Sequence, residues 1–223
     1  MSTPARAGIL FDLDGVIIDS EELQYEAYLQ VLAPLGVRPS REEYGREWIG
    51  NGRGPEYAVQ TYHLPLSPDE LRRRRSPVYH QILRERVTLM PGVRAALARL
   101  GARFPLALAT NSNHHDTSFV LEHFGLEGVF AAVVTREMYE RAKPEPDAFL
   151  TAAARLGLPP GRCVVIEDAF KGVVAAARAG CKCIAVPHDF TRGHDFSTAA
   201  CVVSNLDDVT VELVESLSDS SIV

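Results

Sequence analysis

Four short stretches of this chain carry residues whose types and spacing could do chemistry. In GILFDLDGVIIDS (8–20), the apolar run Ile9-Leu10-Phe11 stops at Asp12, with Asp14 two residues on. TNS (110–112) follows PLALA, and Lys143 follows AAVVT within RAKPEPDAF. CVVI ends in Glu167-Asp168. If these stretches meet in one crevice, their carboxylates repel strongly in a partly desolvated space, and one lysine does not balance them. A divalent cation does. Oxygen-only ligands favour Mg²⁺, which binds through carboxylates and keeps room for a substrate phosphate. Lys143, the Thr110 hydroxyl and backbone amides around Asn111 would then hold a phosphoryl group. One aspartate could attack phosphorus as a nucleophile while the other carries a proton to the leaving oxygen and takes one from water.

The elements around these residues give a reason for them to meet. From Arg103 onward, apolar runs without alternation (PLALAT, FAAVVT, CVVIED, CIAVP, CVVS) are separated by helical patterns. This predicts a parallel sheet covered on both faces, a doubly wound α/β core. Ligands of such sheets bind beyond the carboxyl ends of the strands, where all four stretches fall. Residues 20–91 differ, with helical patterns, turn signals and no convincing strand run. They read as an inserted α-helical domain, leaving residues 1–19 and 92–223 as the core. The two linkers that join them are natural hinges for a lid.

Composition excludes several classes. With 46% hydrophobic and 23% charged residues, the 223-residue chain is ordinary for a globular protein. A net charge of −6 argues against nucleic acid or an anionic membrane as partner. No run reaches the ~20 apolar residues that span a bilayer. MSTPARAG lacks the apolar core of a signal peptide. A cytoplasmic monomer is expected. Cys163, Cys181, Cys183 and Cys201 form neither a redox nor a zinc motif. Arg72–Arg75 read as a solvated helix surface, Lys171 as exposed, and His114-His115 as a pair without partner ligands for a metal.

DLDGVIIDS, TNS, the lysine of KPEPDAF and IEDAFKGVVAAARAG resemble the four ordered motifs of the haloacid dehalogenase-like hydrolase superfamily. The subgroup resembled is that of β-phosphoglucomutase and the sugar-phosphate phosphatases, which have a Rossmann-like core and a small α-helical cap. The resemblance implies Asp12 as nucleophile and metal ligand, and Asp14 as general acid/base with its backbone carbonyl on the metal. It implies Thr110, Asn111 and Lys143 around the phosphoryl group, and Asp168 and Glu167 at the metal, Glu167 directly or through water. IGNGRG resembles the family's cap loop for substrate specificity, which would set Arg53 over the site.

Departures narrow the activity. Residues 20–91 contain no lysine, which argues against the Schiff-base branch, and the presence of Asp14 argues against dehalogenation. Mutases of the subgroup have threonine and histidine where this chain has Ser20 and Gln24, so water is the expected acceptor. Ala169 replaces a common serine, which puts one supporting hydrogen bond in question. The expectation is a Mg²⁺-dependent phosphatase acting on a small phosphorylated metabolite through an aspartyl phosphate. The alternatives are a phosphosugar mutase and a non-catalytic binding relative.

Overall fold

The computed structural model describes residues 7–219, so the leader reading of the first residues and the last residues of the polar tail lie outside it. Among the described residues six strands form one parallel sheet: β1 (Gly8–Phe11), β2 (Leu106–Ala109), β3 (Ala132–Val134), β4 (Cys163–Glu167), β5 (Lys182–Ala185) and β6 (Cys201–Val202). Their order is β3-β2-β1-β4-β5-β6, so the winding reverses at β1. Helices α1 (Glu21–Leu32), α2 (Arg41–Tyr44), α3 (Gly54–Thr61) and α4 (Pro68–Arg86) come before α5 (Val93–Gly101). After β2 follow α6 (His114–His123), α7 (Asp147–Arg155), α8 (Phe170–Ala179) and α9 (Val211–Asp219).

Strand side chains alternate between faces, and both faces are buried, which explains the unbroken apolar runs. Ile9, Phe11, Leu106, Leu108, Val164 and Ile166 pack with Val93, Leu97 and Leu100 of α5, Val120 of α6 and Val214 of α9. Leu10, Ala107, Ala109 and Val165 face Phe149 and Ala152 of α7 and Val173 and Ala176 of α8. Register sets Phe11 beside Leu108 and Ile166, so β1, β2 and β4 end level with one another. Helix α6 begins at His114, capped by the Asn113 side chain. One element is shorter than the sequence predicts. CVVS shortens to Cys201–Val202 at the sheet edge, where Val202 is 53% exposed and has no second neighbour strand to extend it.

The chain between β1 and α5 is helical and has its own apolar cluster, with Tyr28, Leu32, Tyr44, Trp48, Ile49 and Leu71 at its centre. Ser40 and Glu43 cap α2 reciprocally, and Ser67 caps α4 ahead of Pro68. A wide turn over Gly45–Gly50 follows α2, with the Asn51 N–H bonded to Arg46 O at 2.9 Å, five residues back. Leu23 and Ala27 of α1 and Tyr79, Ile82 and Leu83 of α4 join the cluster under the sheet. The two crossing strands of chain touch: Asp19 N–H bonds Thr88 O (2.9 Å), Met90 N–H bonds Ile17 O (3.0 Å), and Ile18 bridges Leu89.

Helix α8 lies so close to the end of β4 that a Cβ at Gly172 would fall 1.8 Å from Glu167 Oε1. Gly172→Ala is therefore expected to cost about 1–3 kcal/mol through overpacking. Urea denaturation monitored by circular dichroism measures it. An unchanged midpoint would mean that Glu167 can swing clear.

Candidate active site

The ends of β1 and β4 bring three carboxylates together. Asp12 N–H bonds Ile166 O (3.0 Å), which carries the sheet register one residue past β1. Asp12, Glu167 and Asp168 each present an oxygen within 4.8 Å of the others, and all three are buried. Lys143 reaches in from the loop after β3. Its ammonium donates to Asp12 Oδ1 (2.6 Å), Glu167 Oε1 (2.7 Å) and Ala109 O (2.9 Å). Burial opposes the charge on Lys143, but Asp12 and Glu167 outweigh it and raise its pKa. Burial raises the Asp12 pKa well above the usual carboxylate range; Lys143 opposes this, while Glu167, Asp168 and Asp14 add to it. Asp168 is raised in the same direction, by burial and then by Glu167. Carboxylates pushed upward this way have room for positive charge beyond Lys143, which fits a hard divalent ion held by oxygen.

Local backbone makes the cluster possible. Gly15 has φ +77°, and a Cβ there would lie 2.7 Å from Asp168 Oδ2 and from His188 Nε2. Only glycine suits that turn. Glu167 Oε2 accepts from the backbone N–H groups of Asp168 (3.0 Å) and Ala169 (3.3 Å). These donors are main chain, so alanine at 169 does not remove them.

Asp14 faces the other way. Its Oδ1 accepts from Ser20 Oγ (2.5 Å) and Gln24 Nε2 (3.2 Å), and its Oδ2 from Ser112 Oγ (2.5 Å). Thr110 is buried just past β2, and its Oγ1 accepts from Ser112 N–H (2.9 Å). Asn111 Oδ1 accepts from Tyr139 Oη (2.8 Å) and Lys143 N–H (3.2 Å), tying the loop after β2 to the lysine loop. Thus Asp12, Asp14, Thr110, Asn111, Lys143, Glu167 and Asp168 all lie at one end of the sheet.

A cavity of about 390 Å³ opens above them, lined among others by Asp14, Gln24, Arg75, Tyr79, Lys143 and Lys171. Arg53 is exposed and is not among the lining residues, although its neighbours Gly52 and Gly54 are. It stands at the start of α3, close enough to Glu47 to help lower that carboxyl's pKa. Arg75 lines the cavity. Its Nη2 donates to Gln24 Oε1 (2.6 Å), its guanidinium lies over Tyr79 and Tyr28, and its buried Nε has no hydrogen-bond partner among the described residues. The solvated reading of Arg72–Arg75 holds for Arg73 and Arg74, which pair with Glu70, because consecutive helical residues point in different directions. Lys171 is half-buried rather than exposed, since the Gly52 turn packs against its stem.

Two residues were not anticipated from the sequence. His188, after β5, lies 3.0 Å from Asp168 Oδ2, and burial lowers its pKa. Its position past a strand end was the available signal. Glu21 lines the cavity, and burial and then the Asp14 charge push its pKa up to about 8.

A family model described as haloacid dehalogenase-like hydrolase matches residues 9–186. Hexitol phosphatase B of Escherichia coli is 36% identical over 193 residues, covering 84% of this chain and 86% of that protein. A bifunctional riboflavin kinase/FMN phosphatase of Arabidopsis thaliana is 31% identical over 216 residues, or 92% of this chain, which spans about half (54%) of that longer protein. The crystal structure of CbbY from Rhodobacter sphaeroides in complex with phosphate superposes with a TM-score of 0.80 at 27% identity, covering 94% of this chain and 99% of that one.

Glu21 generates a test. Folded, it keeps a proton that the unfolded chain gives up near 4.5, so its contribution to stability declines as pH rises from there to about 8, then levels off. Glu21→Gln should gain on the native protein across that window, by on the order of a few kcal/mol. Urea midpoints at both ends of the window measure it; a constant gap between the two proteins would contradict the raised pKa.

Proposed function

We propose that this chain, which belongs to the haloacid dehalogenase-like hydrolase family, is a Mg²⁺-dependent phosphatase of small phosphorylated metabolites, sugar phosphates foremost. The observation that carries the reading is the buried cluster of Asp12, Glu167, Asp168 and Lys143 at the strand ends, with Asp14 beside it. The named phosphatases among its relatives agree with it.

Asp12, the backbone carbonyl of Asp14, Asp168 and Glu167 would hold the metal, Glu167 directly or through water. Mg²⁺ bound there supplies charge that offsets the carboxylates and draws in a phosphate. An Asp12 oxygen attacks phosphorus, and the bond from phosphorus to the leaving oxygen breaks. Lys143, the Thr110 hydroxyl and the backbone amide of Asn111 hold the phosphoryl oxygens through the transfer. Asp14, protonated, gives its proton to the leaving oxygen. It then takes one from the water that attacks the aspartyl phosphate, which frees Asp12 and inorganic phosphate.

Residues 20–91 act as a cap over the core of residues 1–19 and 92–223. The cap positions Asp14 through Ser20 and Gln24, and Arg75 faces the leaving group. Gln24 favours water as acceptor because an amide has no imidazole base to offer a sugar hydroxyl.

A panel of hexose, pentose and polyol phosphates with phosphoglycolate and FMN, assayed with Mg²⁺, tests the activity. Release should fall by roughly three orders of magnitude or more in Asp12→Asn. Glucose 6-phosphate formed from β-glucose 1-phosphate without net release would instead identify a mutase. Saturating Mg²⁺ should raise the melting temperature by roughly 5–10 °C. The shift should vanish in Asp168→Asn; if it persists there, the metal is held elsewhere.

A further inference from the structure

The seam between α4 and α6 gathers a second set of ligand-type side chains, distinct from the carboxylate cluster although one of them, Asp116, lines the same cavity. His80 Nε2 on α4 lies 2.9 Å from Oδ1 and 3.1 Å from Oδ2 of Asp116 on α6. The His115 ring is 5.3 Å from that of His80, and one donor atom from each of His80, His115 and Asp116 falls within 4.8 Å of the others. The expectation that His114-His115 lacks partner ligands therefore fails for His115. One partner, Asp116, is its neighbour in sequence; the other, His80, is too far along the chain for any spacing to reveal.

The carboxylate is already oriented. Asp116 is buried, accepts from Asn113 Nδ2 (2.8 Å) and donates its own N–H to Asn113 Oδ1 (2.8 Å). Partners of this kind fix a metal-binding carboxylate in place. His80 is partly exposed and His115 exposed, so water has access to a remaining position.

Two imidazoles and a carboxylate are the donor set of zinc-class ions, unlike the oxygen-only set at the strand ends. Donors about 2.0–2.2 Å from a tetrahedral ion stand roughly 3.3–3.5 Å apart. The His80–Asp116 pair is close to that spacing, and His115 needs only a side-chain adjustment.

We propose that His80, His115 and Asp116 bind one Zn²⁺, with water completing the shell, and that the ion ties α4 to α6. His80 gives its Nε2 lone pair and Asp116 a carboxylate oxygen, in place of the hydrogen bond between them and of the longer contact from Ser76 Oγ to the same nitrogen (3.3 Å). Because α4 belongs to the helical segment and α6 to the sheet domain, bound zinc restrains their relative movement. The site stands without the phosphatase reading; only its effect on turnover rests on that reading.

Co²⁺, which takes zinc sites and reports its geometry in visible absorption, is the probe. It is titrated into the full chain with excess Mg²⁺ present to occupy the carboxylate cluster. One equivalent should give the intense bands of a four-coordinate, nitrogen-ligated ion, and Zn²⁺ should displace it. His80→Gln and His115→Gln should each weaken binding at least about tenfold. His115 is exposed and does not hold the seam through a hydrogen bond, so its variant keeps the test valid even if His80→Gln loosens the fold. Weak six-coordinate bands in the native protein, or unchanged bands in His115→Gln, would overturn the site and leave His80–Asp116 as a hydrogen-bonded pair.

Zinc should also slow phosphate release by the native protein at excess Mg²⁺ and spare His115→Gln. Equal inhibition of both would overturn the tie between α4 and α6. A protein that binds Co²⁺ as described yet releases no phosphate would count against the phosphatase reading while supporting the site.

Discussion

Three carboxylates buried within 4.8 Å of one another, with one ammonium threaded between them, set the terms for the rest of this structure. Charges so placed repel in a medium that screens them poorly, so they stay together only where the backbone leaves no alternative. Three strands in fixed register supply that rigidity. Glycine at 15 and 172 removes the side chains that would otherwise occupy the same space. The apolar surface on both sides of the sheet offsets the repulsion, and the cluster keeps the donor set that a metal ion could use.

Asp14 has different partners from Asp12, two residues away. Its carboxylate takes hydrogen bonds from the linker at Ser20, from α1 through Gln24 and from the loop after β2 through Ser112. Arg75 on α4 bonds Gln24 in turn. The helical segment thus contacts the Asp14 carboxylate directly, while the carboxylates at the end of β4 lie on the sheet.

Much of this was legible in the sequence, for an identifiable reason. Strands buried on both faces leave apolar runs, and the polar residue that ends each run marks the functional edge of the sheet. Asp12, Thr110 and Glu167 were found that way. Lys143 needed its place after a strand as well as its type. What was missed depends on rotation and distance, which composition does not encode. Four adjacent arginines look alike until the packing of α4 turns Arg75 inward. Lys171 looks exposed until the turn at Gly52 covers it. Arg53 stands exposed beside two cavity-lining glycines without lining the cavity itself. His80 and His115 come together only because two helices cross.

The contact between the two crossing linkers has a consequence for how such a molecule can diversify. Ile18 bridges Leu89, so the seventy or so residues between them form a closed excursion whose ends are already joined. Closing a loop costs only ~0.6 kcal/mol more for each doubling of its length. An excursion of this kind can lengthen, shorten or be replaced while β1 and α5 keep their places.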